Sequence, residues 1–346
     1  MNTNSLYGND FNSNPNNLIF LKNLVEDSYS EICLDNYFSI FKSINEILYL
    51  IYSNYKKSII LYNLLNNQII SEIKNAHKNF IFSFKHYLDS INNVDLIMSI
   101  SSYDNNIKLW KISSLECMLN LTNINNSGKL EAACFLCYEN KNYILTSNCY
   151  YNNISEPIKI YDFKGNKMKE ISNSKEITKF IDIYYDINLN KTYIITGNKG
   201  HSKSYDLKAN KIYNIYEHKE KYNEYNISLI ISKINDEICL IESSIGGLIR
   251  IWNFQSAILI NKIDIKKNYG DQILYGLCLW NNKYLFIGNN KRKILLLELK
   301  SNKVIKQFQC DNGSILTLKK IVHSKYGECL ISLGSKGAIQ LWIIKK

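Results

Sequence analysis

The sequence predicts an all-β protein built from seven similar units, because one short pattern recurs along the whole chain. Its clearest copies each contain a tryptophan inside an apolar hexapeptide: IKLWKI at 107–112, IRIWNF at 249–254 and IQLWII at 339–344. Four weaker copies have tyrosine or leucine instead: IILYNL at 59–64, IKIYDF at 158–163, SKSYDL at 202–207 and ILLLEL at 294–299. A repeat of this kind decides the whole architecture.

The spacing of these copies identifies the type of unit. The central residue of each copy, which we call its anchor, lies 44 to 51 residues from the next: Tyr62, Trp110, Tyr161, Tyr205, Trp252, Leu297 and Trp342. Between the anchors lie further short apolar segments, such as LIMSIS and KYLFIG, separated by Asn, Gly or Lys turns. Four strands in a period of about 45 residues are typical of a propeller blade. The sequence therefore predicts a seven-bladed β-propeller with four-stranded antiparallel blades.

The predicted domain organisation follows from the two ends of the repeat array. The chain stops at Lys346, shortly after the last hexapeptide, which leaves the last blade without a fourth strand. The segment LIFLKNLV at 18–25 precedes the first unit, and pairing it with the last blade would cover an exposed strand edge. We therefore expect this N-terminal strand to close the propeller. A single domain is expected over residues 17–346, with a flexible tail of residues 1–16 before it.

One unit carries further motifs that link the chain to a known family. Unit two contains three short motifs in order: Ala76-His77, Ser102-Tyr103-Asp104 and Trp110-Lys111. With these motifs and the period, the chain resembles the WD40 repeat family over residues 18–346. The family's Trp-Asp pair survives in altered form in other units, for example as Tyr161-Asp162. The repeats are thus degenerate, and the resemblance rests on seven spaced copies.

The resemblance implies a hydrogen-bonded tetrad in unit two, formed by His77, Ser102, Asp104 and Trp110. Ser101 stays an alternative to Ser102, since the turn is one residue longer than the family pattern. A His-Asp pair would also suit general acid–base catalysis. We expect a structural role, because the imidazole, carboxylate and indole can satisfy each other's polar groups and lock the turn.

The composition excludes several classes of protein. With 46% hydrophobic and 21% charged residues, the chain can bury a large core, which excludes wholesale disorder. The net charge is +11, but Arg250 and Arg292 are the only arginines. Dispersed lysines without clustered arginine argue against a nucleic-acid partner. Since neither a signal-peptide layout nor an apolar run of ~18 residues occurs, we expect a cytoplasmic protein, with the nucleus as the alternative.

The sequence contains no motif that predicts catalysis. A Gly-rich phosphate loop, HExxH and GxSxG are all missing from it. Cys134 and Cys137 form a CxxC, but residues i and i+3 of a strand point to opposite faces and cannot share a zinc ion. The nine cysteines lie mostly in apolar runs and are expected to be reduced core residues. We therefore expect a protein that is not an enzyme, without catalytic residues, metal or cofactor.

The turns between the second and third strands are the predicted partner-binding surface. In the WD40 family these turns surround the central channel on one face. Lysine stands six residues before the anchor in four units. The residue before that position is aromatic or aliphatic in four of the seven units, as at Tyr55 and Ile245, and such a mixture is typical of peptide-binding surfaces. The predicted binding residues are Tyr55, Lys56, Tyr103, Lys199, Ile245, Lys291 and Lys336. The alternative interpretation is that these turn tips are simply solvated.

These observations predict a scaffold that binds a segment of a partner protein on one face of the propeller. The lysines favour acidic or mixed acidic and hydrophobic segments as partners. We expect a monomeric propeller that works within a larger complex. The alternative function is binding of phosphoinositide membranes or nucleic acid through the dispersed lysines, which a steep loss of binding with salt would indicate.

Overall fold

The computed structural model describes most of the chain. The described residues are 14–26, 38–55, 57–89, 92–101, 103–122, 124, 130–148, 156–171, 174–176, 178–218, 225–270 and 272–345. Three of the sequence predictions fall wholly or largely outside them: Lys56, Ser102 and most of the predicted tail.

The described chain consists of strands arranged in seven four-stranded antiparallel sheets. The first strand is β1 (Leu18–Val25). Blade 1 follows with β2 (Phe38–Lys42), β3 (Leu48–Ser53), β4 (Ile59–Asn63) and β5 (Gln68–Ile73). Blade 2 consists of β6 (Ser83–Asp89), β7 (Val94–Ser101), β8 (Asn106–Lys111) and β9 (Glu116–Thr122). Blade 3 consists of β10 (Leu130–Tyr138), β11 (Lys141–Asn148), β12 (Lys159–Asp162) and β13 (Lys167–Glu170).

The later blades repeat this order. Blade 4 consists of β14 (Thr178–Asp186), β15 (Lys191–Asn198), β16 (His201–Asp206) and β17 (Lys211–Glu217). Blade 5 consists of β18 (Asn226–Ile234), β19 (Glu237–Ser244), β20 (Leu248–Asn253) and β21 (Leu259–Asp264), followed by the helix α1 (Ile265–Tyr269). Blade 6 consists of β22 (Leu274–Trp280), β23 (Tyr284–Asn289), β24 (Lys293–Glu298) and β25 (Lys303–Gln309). Blade 7 consists of β26 (Ile315–His323), β27 (Gly327–Gly334) and β28 (Ile339–Ile344), with β1 as its fourth strand.

This architecture is a seven-bladed β-propeller, so the predicted fold class is confirmed. Each anchor lies in the third strand of its blade and is buried, as Trp110 in β8 and Trp252 in β20 illustrate. Helix is scarce, and α1 begins where the Asp264 side chain accepts the backbone N–H of Lys267. None of the described helical segments has the length and apolar character needed to cross a membrane.

The predicted closing strand is confirmed. β1 pairs antiparallel with β28, from Leu18 opposite Ile344 to Val25 opposite Ile339. Leu18 and Val25 are buried, and the Phe20 ring meets the Trp342 ring edge-on at 5.5 Å. β1 therefore supplies both the backbone pairing and the apolar contacts that the outer edge of β28 requires.

The residues just before β1 are also held in place. Pro15–Asn17 form a short 3₁₀ helix, and Pro15 is buried. Lys306 Nζ donates to the carbonyl of Asn16 (2.6 Å). The backbone N–H of Lys345 donates to the carbonyl of Asn17 (3.0 Å). This differs from the predicted flexible tail of residues 1–16, because positions 14–16 make defined contacts. Residues 1–13 lie outside the described part of the chain.

The chain divides into two compact units. Unit 1 contains blades 1 to 4 and extends to Ile215, and unit 2 contains β1 with blades 5 to 7. Within unit 1, apolar clusters lie between neighbouring blades, such as Phe41 of blade 1 with Ile97 and Trp110 of blade 2. Unit 2 has equivalent clusters, one of which joins Leu18 of β1 to residues of blades 6 and 7. The core of each unit is thus formed by the side chains packed between its blades.

Candidate interaction surface

The turns between the second and third strands share one backbone geometry in six blades. The residue five positions before the anchor has a positive φ in each of them: Lys57 (62°), Asn105 (49°), Gly200 (78°), Gly247 (80°), Arg292 (60°) and Gly337 (88°). In blade 3 most of this turn lies outside the described residues. Because the left-handed residue fixes the direction of the chain, the two residues before it occupy equivalent places on every such turn.

The structure places the predicted binding residues on these turns. Tyr55, Tyr103 and Lys199 lie on turns of unit 1, and all three are exposed. Tyr55 and Tyr103 leave 55% and 53% of their surface in contact with solvent, which is a large fraction for aromatic residues. Lys56, the neighbour of Tyr55, is outside the described residues. The binding role of all these residues stays a prediction.

In unit 1, the turn of blade 1 is fixed by the segment that leads into blade 2. Ala76 donates its backbone N–H to the carbonyl of Lys57 (3.1 Å). The Lys57 Nζ donates to the carbonyl of Lys78 (2.6 Å) and lies 5.7 Å from the centre of the Phe80 ring. The turn that carries Tyr55 is therefore held by a hydrogen bond to its backbone and by the contacts of the Lys57 side chain.

The same segment also fixes the turn of blade 2. Asn79 donates its backbone N–H to Asp104 Oδ2 and its side-chain amide to Oδ1, both at 2.8 Å. Residues 76–80 thus fix the turns that carry Tyr55 and Tyr103. The exposed Lys78 lies within this segment. We call Tyr55, Lys57, Lys78 and Tyr103 the Tyr55–Tyr103 surface. Sequence reasoning missed Lys78, although its place directly after His77 was a usable signal.

Behind this surface lies the polar cluster of blade 2. Trp110 Nε1 donates to Ser99 Oγ (2.8 Å), and His77 Nε2 lies 2.7 Å from the same oxygen. Ser99 fills the position between the two rings for which the sequence suggested Ser102, and Ser102 itself is not among the described residues. The reason is the register of β7, where Ser99 lies two residues after Ile97, the cross-strand partner of Trp110.

The protonation of this cluster fits a structural role. Burial, followed by repulsion from Lys108, lowers the pKa of His77 to about 3, so that the ring is neutral at neutral pH. The Ser99 hydroxyl can then accept from Trp110 and donate to Nε2, which leaves the proton on Nδ1, 3.9 Å from Asp104 Oδ2. Burial opposes ionisation of Asp104, but the hydrogen bonds from Asn79 hold its pKa below the ordinary value. A buried neutral ring of this kind is out of reach of a substrate.

Replacement of Asp104 by alanine is expected to destabilise the protein. Asp104→Ala removes the acceptor of both Asn79 donors, which should lower the free energy of unfolding by about 1–3 kcal/mol. Urea unfolding followed by circular dichroism measures this change. Asp311→Ala is the matched control, because the Asp311 side chain is exposed, and it should leave the midpoint where it is. An unchanged midpoint for Asp104→Ala would contradict the structural role.

Blade 5, in unit 2, holds a related cluster in which a carboxylate takes the place of the serine. Glu242 occupies the position of Ser99, and its Oε1 accepts from Trp252 Nε1 (3.0 Å) and lies 2.6 Å from His218 Nε2. Its Oε2 accepts from the side-chain amide of Asn226 (2.9 Å). Arg250 is the cross-strand partner of Glu242, and the two are 1% and 0% exposed. Sequence reasoning missed this buried charged group.

Several lysines of unit 1 are held within the fold and do not belong to the binding surface. They occupy one position in the third strands of blades 2, 3 and 4. Lys108 donates to the carbonyl of Ala76 (2.6 Å), and Lys159 to that of Ile124 (3.0 Å). Lys203 pairs with the carboxylate of Glu176. These three lysines therefore have partners within the fold.

The turns of unit 2 have fixed backbones and exposed tips. The backbone N–H of Lys291 donates to the side-chain oxygen of Asn289 (3.0 Å). The backbone N–H of Lys336 donates to the carbonyl of Asn312 (3.2 Å). Ile245 donates its N–H to the carbonyl of Tyr225 (3.2 Å). The side chains of Ile245, Lys291 and Lys336 are exposed, as the prediction requires.

Five of the seven described cysteines are buried, and two are exposed. Cys134 is buried and Cys137 is exposed, in agreement with opposite faces of β10. Burial raises the pKa of Cys278 to about 11 and that of Cys310 to about 12, which keeps both thiols protonated. Within the described ranges, no group of three or more His, Cys, Asp or Glu could hold a metal ion.

Comparison with known proteins does not add a family assignment. No family model matches the sequence. A search of curated proteins also finds no significant match. The propeller architecture, its seven anchors and the Tyr55–Tyr103 surface are therefore the basis for a functional proposal.

Proposed function

We propose that this protein is a WD40-type propeller that acts as a non-enzymatic docking scaffold. Its ligand is an acidic or mixed acidic and hydrophobic segment of a partner protein, bound on the Tyr55–Tyr103 surface. The observation that carries the proposal is that one segment, residues 76–80, holds two exposed tyrosines and two lysines in a fixed arrangement. Propellers commonly serve as interaction scaffolds, which supports the proposal by analogy.

The physical basis of binding is preorganisation. Tyrosine offers a large contact area and loses little rotamer freedom on binding, so that Tyr55 and Tyr103 are suited to supply affinity. Lys57 and Lys78 provide positive charge for acidic side chains of the ligand. Since both turns are already hydrogen-bonded to the segment between them, little ordering free energy is lost on the scaffold side.

The other predicted residues contribute through long-range attraction. Lys199 in unit 1 and Lys291 and Lys336 in unit 2 occupy the same place in their blades and are exposed. Exposed lysines accelerate the approach of an acidic ligand in a salt-dependent way and add little to final affinity. A reducing compartment, with the cytoplasm as the first choice, accords with the free cysteines.

The proposal is tested with the partner that the full chain captures from its native cell lysate. Tyr55→Ala with Tyr103→Ala should speed dissociation of that partner by at least about tenfold, because buried aromatic side chains contribute most of the binding free energy at interfaces. Charge reversal of lysines 56, 199, 291 and 336 to glutamate should slow association, and more so at low salt. Surface plasmon resonance measures both rate constants.

A matched control separates binding from general disturbance of the surface. Tyr185→Ala removes another exposed tyrosine. Tyr185 lies at the end of β14, beside the turn between the first and second strands, and not at a turn between the second and third strands. It should leave both rate constants unchanged. A partner that binds the Tyr55 and Tyr103 double variant as it binds the parent would exclude this surface.

A further inference from the structure

The outer edges of blades 5 and 6 in unit 2 expose several large apolar side chains. Ile258, Leu259 and Ile260 follow one another at the start of β21, and Ile258 leaves 65% of its surface in solvent. Ile305 in β25 and Tyr269 in α1 are also exposed. In the other outer strands of the described chain, at most two such residues are adjacent, as Ile69 and Ile70 are in blade 1.

These side chains belong to elements that contact each other. Asn261 of β21 donates its side-chain amide to Asn302, the residue directly before β25. The Tyr269 hydroxyl donates to the carbonyl of Val304 in β25 (3.4 Å). β21, α1 and β25 thus lie next to one another, and we call their exposed residues, together with Ile258, the blade 5–6 edge.

The blade 5–6 edge is also strongly basic. Exposed lysines lie on all three elements: Lys262 in β21, Lys266 and Lys267 in α1, and Lys303 and Lys306 in β25. Asp264 is the exposed acid on these elements, and its carboxylate caps α1. An apolar strip flanked by cations complements a ligand that combines aliphatic and acidic side chains.

β21 offers hydrogen-bonding groups as well. It is the last strand of its sheet, with β20 on one side and no strand on the other among the described residues. Asn253 donates its N–H to the carbonyl of Ile258 (2.9 Å), and Trp252 is the partner of Leu259. Because bonded and non-bonded pairs alternate in antiparallel sheets, the backbone N–H of Leu259 points away from β20.

We propose that the blade 5–6 edge is a second docking surface, on which an extended protein segment with aliphatic and acidic side chains adds as a fifth strand to β21. The backbone of β21 supplies the hydrogen bonds, Ile258 and Ile260 the apolar contact, and the lysines the charge complement. This site is separate in chain position and in ligand geometry from the Tyr55–Tyr103 surface. An extended segment fits better than a lipid surface, because the apolar residues belong to a flat strand edge with aligned backbone groups.

The test uses a fluorescent ten-residue peptide with blocked ends that alternates valine and glutamate. The full chain should bind it saturably in a fluorescence anisotropy titration, and a peptide that alternates valine and lysine should not bind. Ile258→Ser with Ile260→Ser should weaken binding at least about tenfold. The control variant Ile69→Ser with Ile70→Ser changes an equivalent edge in blade 1 and should bind as the parent does.

A second pair of variants tests the backbone contribution. Leu259→Pro and Leu259→Ala both remove the leucine side chain, but proline also removes the outward N–H. Strand addition requires that Leu259→Pro binds at least about tenfold more weakly than Leu259→Ala. Thermal unfolding of each variant shows whether it is folded. For the parent protein, hydrogen exchange with and without peptide should show new protection in residues 259–264.

Three results would overturn the proposal. The first is equal binding by the proline and alanine variants, and the second is new protection outside β21. The third is binding of phosphatidylserine vesicles by a protein that does not bind the peptide. The Tyr55→Ala and Tyr103→Ala double variant should bind the peptide as the parent does, so that failure of either surface is recognised independently.

Discussion

We expect a chain that lacks residues 1–25 to unfold at a much lower temperature than the full chain, if it folds at all. The deletion removes β1, and with it the strand that covers the outer edge of β28. It also removes Leu18 and Val25, whose burial contributes about 1.5–3 kcal/mol each. Together with the lost strand pairing, this is a large fraction of the roughly 5–15 kcal/mol that stabilises an ordinary domain. Differential scanning calorimetry measures the shift.

Two controls show whether the effect belongs to β1. Deletion of residues 1–13 keeps Pro15, Asn16 and β1, and should leave the unfolding temperature close to that of the full chain. Addition of a synthetic peptide spanning residues 14–26 should restore part of the lost stability to the shortened protein, because β28 can pair with it again. If both deletions lower the unfolding temperature equally, β1 is not the closing strand in solution.

The second large effect is expected at the buried carboxylate of blade 5. Glu242→Gln keeps the size of the side chain but removes its charge, which leaves Arg250 buried opposite a neutral group. His218 also loses its charged partner. Glutamine has one acceptor oxygen where the carboxylate has two, so that Trp252 or Asn226 loses its acceptor. A buried donor left unsatisfied costs about 1–3 kcal/mol, so that the urea midpoint should fall below that of the parent.

A double variant distinguishes a charge effect from a packing effect. Glu242→Gln with Arg250→Met removes both charges and should be more stable than Glu242→Gln alone. Trp342 and Ser332 make the corresponding hydrogen bond in blade 7 without a carboxylate (2.8 Å), which shows that this blade position does not require a charge. Equal destabilisation by the single and the double variant would mean that Arg250 and Glu242 are not energetically coupled.

Much of the fold could be predicted from the sequence, because the signal is local and repeated. Each anchor stands within one copy of the repeated hexapeptide, and all seven copies lie in third strands. The closing strand was also predictable, since residues 18–25 had strand character and the last blade lacked a strand. The turn positions followed by counting back from the anchors, because every described turn of this type has its left-handed residue at the same distance.

The polar clusters were harder to predict, because their members are chosen by cross-strand register. Ser99, rather than one of the turn serines, meets His77 and Trp110, since it shares a face with Trp110 across β7 and β8. Glu242 had a usable signal in the sequence, because it is the single acidic residue in the run CLIESS. It lies opposite Arg250, one of only two arginines in the chain. Without the register, nothing shows that the two residues are paired.

The sequence by itself determined the number of blades, the strand order within each blade and the positions of the turns. These depend on the spacing of apolar and turn-forming residues along the chain, and neighbours in sequence suffice to express it. Only the tertiary structure decided that Lys78 lies against the turn of blade 1, that Glu242 lies buried beside His218, and that β21 contacts the residue before β25. The physical reason is that each of these contacts joins residues from different strands or blades, whose distance depends on packing and not on spacing in the chain.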